Sequence, residues 1–538
     1  MNMVKFALKD KTAKTVIVFG LICFFTIFLR VYHFSDWLRF NSDQARDAGI
    51  VRDMIENNNV PLLGPIAGGT LFQLGPAFYY FQFVGAKLFG VMPDKMAYGD
   101  LLFGILSVPL AFFLFLRYFK KNTSLMLAAL YATSFFAVQY SRFAWNPNSA
   151  QFFSMLFVYS ILMLSDAKSN KIPWIVAVGI SLGIGVQLHT LLLFGMPFAF
   201  FLMMIYFGRK KSIRVTHMIA ILFIVFVLNI TQVVSEIKTG GGNYLEFRKA
   251  LVDKSGNQSS LWKNAAHVIS CQIQSNAKIL VPYVEQETCE SPLSDRYFKK
   301  LDRRNDNFSD WSVFAGKIVI AVGFSMVGYF LLYRAIKNEK DEKRKKDLVV
   351  VAIFNSALVL LFVPFGAEIS LRYFVLMTFV PFFLLGLIIE FLQTKNNPSI
   401  KYLSSVFVYL LIMYNLFFCI KTFNEYSSGR PGSMIDGTVN QVRYIAEYLV
   451  VQAGDSKTIQ IGGQKVLLGR FANRVSYFTK ESGIEVVPLN DEIFDPKIPL
   501  FVAVDEMSKK CEQGESYKSY GTIKKCTKFN EITIMMMN

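Results

Sequence analysis

Between Phe40 and Asp53 the chain reads Phe40-Asn41-Ser42-Asp43-Gln44-Ala45-Arg46-Asp47-Ala48-Gly49-Ile50-Val51-Arg52-Asp53, with three carboxylates and two arginines close together. Asp43 and Asp47 are four residues apart, so on a helix they share one face, and Arg46 stands beside them. A carboxylate can take a proton and an arginine fork can hold phosphate oxygens, so the pattern suits acid–base chemistry on an anionic substrate. A polar, solvated helix after a membrane span would carry the same residues. Other parts of the chain weigh on that choice.

Further polar groups fall at the ends of apolar segments. Tyr140-Ser141-Arg142-Phe143-Ala144-Trp145-Asn146-Pro147-Asn148 and Gln187-Leu188-His189-Thr190 each join two such segments. Glu236 precedes Gly240-Gly241-Gly242-Asn243, and Glu368 and Arg372-Tyr373 flank the start of another apolar run. All fall on the same predicted side as Asp43. Ionisable groups at membrane depth are costly unless they face a cavity or a partner, so the set implies a shared polar chamber. Each also has a plainer reading: His189 as a packing histidine, Arg142 as a snorkelling residue, Trp145 as a belt aromatic, Glu236 as a helix-end cap.

The elements that must position these residues are membrane helices. Hydrophobic residues make up 53% of the 538, with Phe alone contributing 53, too many for an ordinary soluble protein. Repeated apolar runs near the length needed to cross a bilayer predict a mainly α, polytopic membrane protein. Segments fall at about 15–32, 97–116, 123–139, 150–165, 172–188, 191–207, 216–233, 313–333, 348–365, 371–392 and 402–422, about eleven in all. The first follows a basic start but lacks a small-residue cleavage site, and reads as a retained span. Lysines and arginines concentrate in alternate connections, including Arg117, Lys120, Lys121, Lys210 and Lys343 to Lys346. That asymmetry puts the N-terminus in the cytoplasm of a cell or inner membrane, and the polar set outside. It also accounts for the net charge of +18 through topology and anionic lipid, with no nucleic acid partner.

The run Leu74 to Met92, interrupted by Gln82 and Lys87, reads as an interfacial helix within an outer loop, 33–96. A second outer loop, 234–312, carries Cys271 and Cys289. Residues 1–422 form the membrane domain on this reading. The less hydrophobic 423–538 forms a small extracytoplasmic α/β domain, with a helix near 438–452 and strands at Thr458–Ile461, Leu500–Val504 and Ile532–Met536. Its Gly462-Gly463 is not a dinucleotide fingerprint. Cys271–Cys289 and Cys511–Cys526 fit disulfides in an oxidising exterior better than zinc, whose C-x-x-C spacing is lacking.

The order of these parts resembles the GT-C glycosyltransferases, in the branch of protein O-mannosyltransferases and lipid A aminoarabinose transferases. The resemblance covers roughly 10–425. It is carried by Asp43-Gln44-Ala45-Arg46-Asp47-Ala48, Gly75-Pro76-Ala77-Phe78-Tyr79-Tyr80, Arg142 to Asn148, Gln187-Leu188-His189 and Leu371-Arg372-Tyr373. One departure is Gln44, where the family usually has Glu. The first acid is kept, and metal binding by the second is put in doubt; no cofactor is expected, with metal dependence left open. The resemblance implies transfer of a sugar from a polyprenyl-phosphate carrier to a glycan, lipid or protein acceptor at the outer face. Asp43 is then the candidate base. Arg372 is the first candidate for the phosphate, with Arg142 or Arg46 next; Asp47, Asn146, His189, Glu236 and Tyr373 bind or orient substrate.

Three other readings compete. A transporter or flippase favours charged or helix-breaking residues near span centres and an internal repeat, neither of which stands out in the sequence. An O-antigen ligase or polymerase typically places its acceptor loop late in the chain. A receptor with passive spans leaves the polar set unexplained.

Overall fold

Every segment expected to cross a membrane is helical in the structure, a computed structural model. It describes residues 2–210, 212–256, 260–282, 289, 308–395, 397–429, 432–463, 465–489, 495–505 and 520–538. The chain opens with α1 (Asn2–Val31), a short α2 (Phe34–Trp37), α3 (Ser42–Glu56), α4 (Ala77–Phe89) and α5 (Pro93–Met96). Next come α6 (Tyr98–Phe115), α7 (Lys121–Thr133), α8 (Phe135–Gln139), α9 (Ala150–Asp166), α10 (Ile172–Leu188) and α11 (Thr190–Arg209). Then follow α12 (Val215–Leu228), α13 (Ile230–Thr239), α14 (Gly242–Gly256) and α15 (Leu261–Leu280). The remaining bundle helices are α16 (Phe308–Asn338), α17 (Glu342–Phe362), α18 (Phe379–Gln393) and α19 (Pro398–Ser427), with 3-10 turns over Val363–Glu368 and Leu371–Met377 before α18.

Among the described residues, five helical stretches are long and apolar enough to span a bilayer, or up to seven if each bent pair counts once. The count of about eleven is not established by length and apolarity. Several expected spans are broken or short for physical reasons. Between α7 and α8, Ser134 leaves the helix; the Phe135 amide freed by the break donates instead to buried Asn415 Oδ1 at 2.9 Å. Between α12 and α13 the axis bends by 56°. There the Leu228 carbonyl accepts from Gln187 Nε2 at 2.9 Å, an insertion of the kind that kinks helices. The Leu74 to Met92 run forms only α4, thirteen residues long and short of the roughly 20 needed to cross a bilayer.

The tail contains α20 (Val439–Ala453), α21 (Lys465–Thr479) and five strands: β1 (Thr458–Gly463), β2 (Glu485–Pro488), β3 (Leu500–Asp505), β4 (Ile523–Phe529) and β5 (Ile532–Met537). The sheet order is β2-β1-β3-β5-β4, parallel among β1, β2 and β3 and antiparallel beyond. Strand alternation divides β3: Phe501 and Ala503 join the main apolar core, while Leu500, Val502 and Val504 face a smaller cluster with Met535 and Met537.

The tail is joined to the segment before α3. The Phe40 amide donates to Gly437 O at 2.8 Å and the Val439 amide to Leu38 O at 2.9 Å. Arg39 pairs with Asp436 at 2.8 Å. Buried Arg52 donates to the Tyr477 carbonyl at 2.8 Å and to Glu481 at 2.7 Å, with its guanidinium 3.8 Å from the Tyr477 ring centroid.

Cys271 and Cys289 form the expected disulfide, with Cα atoms 5.2 Å apart. Cys526 is also disulfide-bonded, and Cys511 lies outside the described residues.

Candidate functional site

The site is built from α3 outward. Asn41 caps this helix, accepting from the Asp43 and Gln44 amides, while Gln44 Oε1 accepts from the Asn41 amide at 3.2 Å. Gln44 then uses its other end, donating Nε2 to the Ala144 carbonyl at 2.8 Å. A carboxylate there could not make that second bond. The glutamine is thus explained by its double contact, which ties α3 to the turn carrying Trp145 and Asn146.

One turn of α3 holds the charges. Arg46 lies between two acids, with Nη1 3.2 Å from Asp43 Oδ1 and Nε 2.9 Å from Asp47 Oδ1. The acids differ sharply in exposure: the Asp43 side chain is 60% exposed and that of Asp47 only 2%. Asp47 also accepts from the Tyr79 hydroxyl of α4 at 3.1 Å. Burial raises the Asp47 pKa, against the lowering effect of Arg46 and Tyr79. Burial also disfavours the Arg46 cation, but Asp47 and Asp43 outweigh it and hold the guanidinium above its ordinary value. The Tyr79 phenol is raised by burial and by Asp47, so it remains a donor. Asp47 therefore fixes Arg46, and Asp43 is the carboxylate that faces outward.

A second group gathers around the 3-10 turn Leu371–Met377. The Arg372 guanidinium lies 5.4 Å from the Tyr373 ring centroid and 5.9 Å from that of Trp145. The His189 and Tyr373 rings are 5.2 Å apart, edge to face. His189 Nδ1 accepts from the Leu191 amide at 3.1 Å, capping α11. Burial, with Arg372 adding to it, lowers the His189 pKa to about 3, so the imidazole is neutral at physiological pH. Asn146 Nδ2 donates to Leu188 O at 2.6 Å, bringing the Trp145 turn against the residue before His189.

The two groups belong to one closed circuit of contacts. Asp47 binds Tyr79 on α4, and the Ala77 amide at the start of α4 donates to Gln187 Oε1 at 3.1 Å. Gln187 lies two residues before His189, which meets Tyr373 beside Arg372. Arg372 meets Trp145, whose neighbour Ala144 receives Gln44, next to Asp43. Gly75 sits inside this circuit, and a Cβ there would lie 2.4 Å from Gln187 Cγ. Residues from five separate parts of the chain are thus held at one end of the bundle.

Two expected residues make their contacts elsewhere. Arg142 is buried and donates to the carbonyls of Leu29, Arg30 and Tyr32, at 3.1, 2.9 and 2.7 Å, closing the C-terminal end of α1. Glu236, on α13, accepts from the Tyr244 amide at 3.4 Å across the Gly240-Gly241 turn. Tyr79 and Gln187 lie in stretches singled out from the sequence, but nothing in their spacing reveals their partners. Buried Asp100, near the Trp145 backbone and Ser149, had no sequence signal beyond being a carboxylate at the start of a span.

A metal finds little room here. Arg46 already fills the space between Asp43 and Asp47. The histidine–cysteine cluster at His267, Cys271 and Cys289 has its two sulfurs joined in the disulfide, so they are not thiolate ligands.

Comparison with known proteins bears on the fold that carries these residues. Residues 73–234 match the sequence model of the family described as dolichyl-phosphate-mannose-protein mannosyltransferase. No curated protein matches the sequence significantly. Among solved structures, ArnT from Cupriavidus metallidurans in the apo state superposes with a TM-score of 0.54 at 11% identity, covering 98% of both chains. The same protein bound to undecaprenyl phosphate gives 0.56 at 10% identity, again over 98% of both. The archaeal oligosaccharyltransferase AglB from Archaeoglobus fulgidus, in complex with an inhibitory peptide and a dolichol-phosphate, gives 0.51 at 14% identity, covering 95% of this chain and 71% of that one. In fold along nearly its whole length, and in sequence over residues 73–234, the chain is similar to the GT-C glycosyltransferases.

Proposed function

We propose that this chain is a membrane glycosyltransferase that moves a sugar from a polyprenyl-phosphate carrier to an acceptor hydroxyl at the extracytoplasmic face. The observation that carries this reading is the circuit joining the Asp43–Arg46–Asp47 turn to the Arg372 turn. It brings an outward-facing carboxylate and a guanidinium to the same end of the bundle. The asymmetric lysines and arginines support the outer placement of that end.

Asp43 takes the proton of the acceptor hydroxyl as its oxygen attacks the anomeric carbon. The bond from that carbon to the phosphate oxygen breaks, and the electron pair leaves with the lipid-linked phosphate. Arg372 holds two phosphate oxygens through its planar fork, stabilising the charge gained there. Arg46, held by Asp47, supplies a second fixed cation. Neutral His189 and Tyr373 position Arg372 and offer polar edges to the sugar. The phosphate leaves as an anion, so no strong acid is needed on its side.

The test is to incubate the purified chain in lipid with labelled polyprenyl-phosphate sugars and a mixed acceptor extract. Loss of carrier-bound label is expected, and intact carrier with every sugar would overturn the reading. Arg372→Ala is expected to weaken carrier binding about tenfold or more, with Arg372→Lys recovering only part, since a point charge replaces a fork. Equal binding by all three proteins removes Arg372 from the phosphate site. Protease added from outside is expected to cut within 423–538.

A further inference from the structure

A groove of about 620 Å³ opens at the opposite end of the bundle from Asp43. Its lining combines apolar side chains, Val18 and Ile22 of α1, Met126 of α7 and Ile412 of α19, with polar Gln393 and Ser405, and its rim carries Lys120 and Lys121. That it lies at the far end follows from α6, which starts near the Trp145 turn and ends just before the connection holding these lysines.

We propose that the groove binds an anionic glycerophospholipid of that leaflet, with its phosphate on Lys120 and Lys121 and an acyl chain along α1, α7 and α19. Positive charge at this end is general, so the argument rests on what sets these two lysines apart. Several basic residues of this end are committed to partners, and of the exposed ones without an ion pair among the described residues, such as Lys168 and Lys401, only Lys120 and Lys121 line the groove. Arg117 binds Asp166 and Asp347, Lys346 binds Asp166, Lys210 binds Glu342, Arg344 binds Glu390, and Lys171 donates to Ser212 O. Lys120 and Lys121 are exposed and have no carboxylate within ion-pair distance among the described residues. They also open α7, whose N-terminus has no side-chain cap, so its first amides point toward the same rim. Below them the wall continues along α7 to Ala129, about 12 Å at the rise of a helix, a length suited to an acyl chain rather than to a headgroup alone. A free phosphate would satisfy the rim and leave the apolar wall uncovered.

The experiment uses the full chain in detergent, with native mass spectrometry counting bound lipid. Phosphatidylglycerol is expected to be retained about 30-fold over phosphatidylcholine, the worth of two lysines at an anionic surface. The preference is expected to vanish in Lys120→Gln/Lys121→Gln and to persist in Lys168→Gln, an exposed lysine from another connection. Ala129→Phe, which fills the wall without touching charge, is expected to lower retention of phosphatidylglycerol. Equal retention of the two lipids by the unaltered protein overturns the proposal. So does an equal loss in Lys168→Gln, which makes the effect one of overall charge, or displacement of the lipid by millimolar inorganic phosphate, which makes this an anion site. Because none of these readouts involves sugar transfer, the proposal stands or falls apart from the enzymatic reading.

Discussion

At one end of the bundle Arg46 sits between Asp43 and Asp47 on a single helix. At the other, Arg117 sits between Asp166 and Asp347, which come from different helices. The chemistry is the same, one guanidinium and two carboxylates, but the connectivity differs. Arg117 bonds each acid at 2.7 Å, Asp347 is fully buried, and Lys346, itself buried, and exposed Lys343 also reach Asp166. That cluster fastens the turn after α6 to α9 and α17, and its acids are consumed in doing so. The Arg46 cluster fastens only α3 to α4, through Asp47 and Tyr79, and leaves Asp43 facing outward. One charge cluster is a clasp; the other holds one acid still in order to present the next.

The largest effect is therefore expected on stability at the clasp. Asp347→Ala strands a buried guanidinium with half its partners, a loss of about 3–5 kcal/mol when buried pairs are broken. Thermal unfolding in detergent is expected to shift down by several degrees, while turnover per folded molecule stays the same. Unchanged unfolding would show the inner cluster to be as dispensable as a surface pair.

Asp43→Asn is expected to do the reverse. Transfer falls by about 10²-fold or more, as for removal of a general base, and the melting temperature moves little because an exposed ion pair is worth about 0–1 kcal/mol. Near-normal turnover would pass the role of base to another acid, with Asp47 first in line. A large drop in stability would make Asp43 a second clasp and erase the contrast.

How much of this was legible in the sequence depended on the range of the interaction. The shared face of Asp43 and Asp47 follows from spacing alone, and so does the helical character of each apolar run. In the tail, the helix at 439–453 and the strands at 458–463, 500–505 and 532–537 lie where apolar periodicity placed them. Strand β4 did not declare itself. Its Ile-Lys-Lys-Cys-Thr-Lys-Phe is a lysine-rich edge, and only its pairing with β5 makes it a strand. The Asp47–Tyr79 bond spans 32 positions, and Arg142 reaches carbonyls more than a hundred positions away. No local pattern encodes such pairings. Arg142 shows the cost: an arginine at a span end looks the same whether it awaits a phosphate or closes a helix.

A smaller effect is expected where the tail meets α3. Arg52 lies on the same helix as the acids, and its contacts to Tyr477 and Glu481 come from α21 and the turn after it. Arg52→Ala is expected to cost about 1–3 kcal/mol, for a lost hydrogen bond to a charged group. Transfer is expected to fall severalfold as α3 loosens, and limited proteolysis of the tail to quicken. Wild-type cleavage kinetics in the variant would mean that the tail is held by its other contacts, Arg39 to Asp436 among them.

The smallest effect separates His189 from the acids by its response to pH. Burial beside Arg372 lowers its pKa from 6.5 to about 3 in the folded protein, whereas the unfolded chain takes up a proton near 6.5. Between those values the unfolded state binds the extra proton, so the stability that neutral His189 contributes is present above about 6.5 and is lost as pH falls. His189→Asn keeps a side-chain oxygen to cap the Leu191 amide, since asparagine is a good N-cap, but removes the titrating ring. The wild type is therefore expected to lose melting temperature faster than the variant between pH 7 and pH 5, with the curves converging at pH 7 and above. The acid limb of the transfer profile is expected to be the same in both proteins, because His189 holds no proton to give in that range. Parallel melting curves would mean that the imidazole is open to solvent. A displaced acid limb would mean that it shares the proton chemistry assigned to Asp43, and the contrast between a presented acid and its fixed surroundings would have to be redrawn around the histidine.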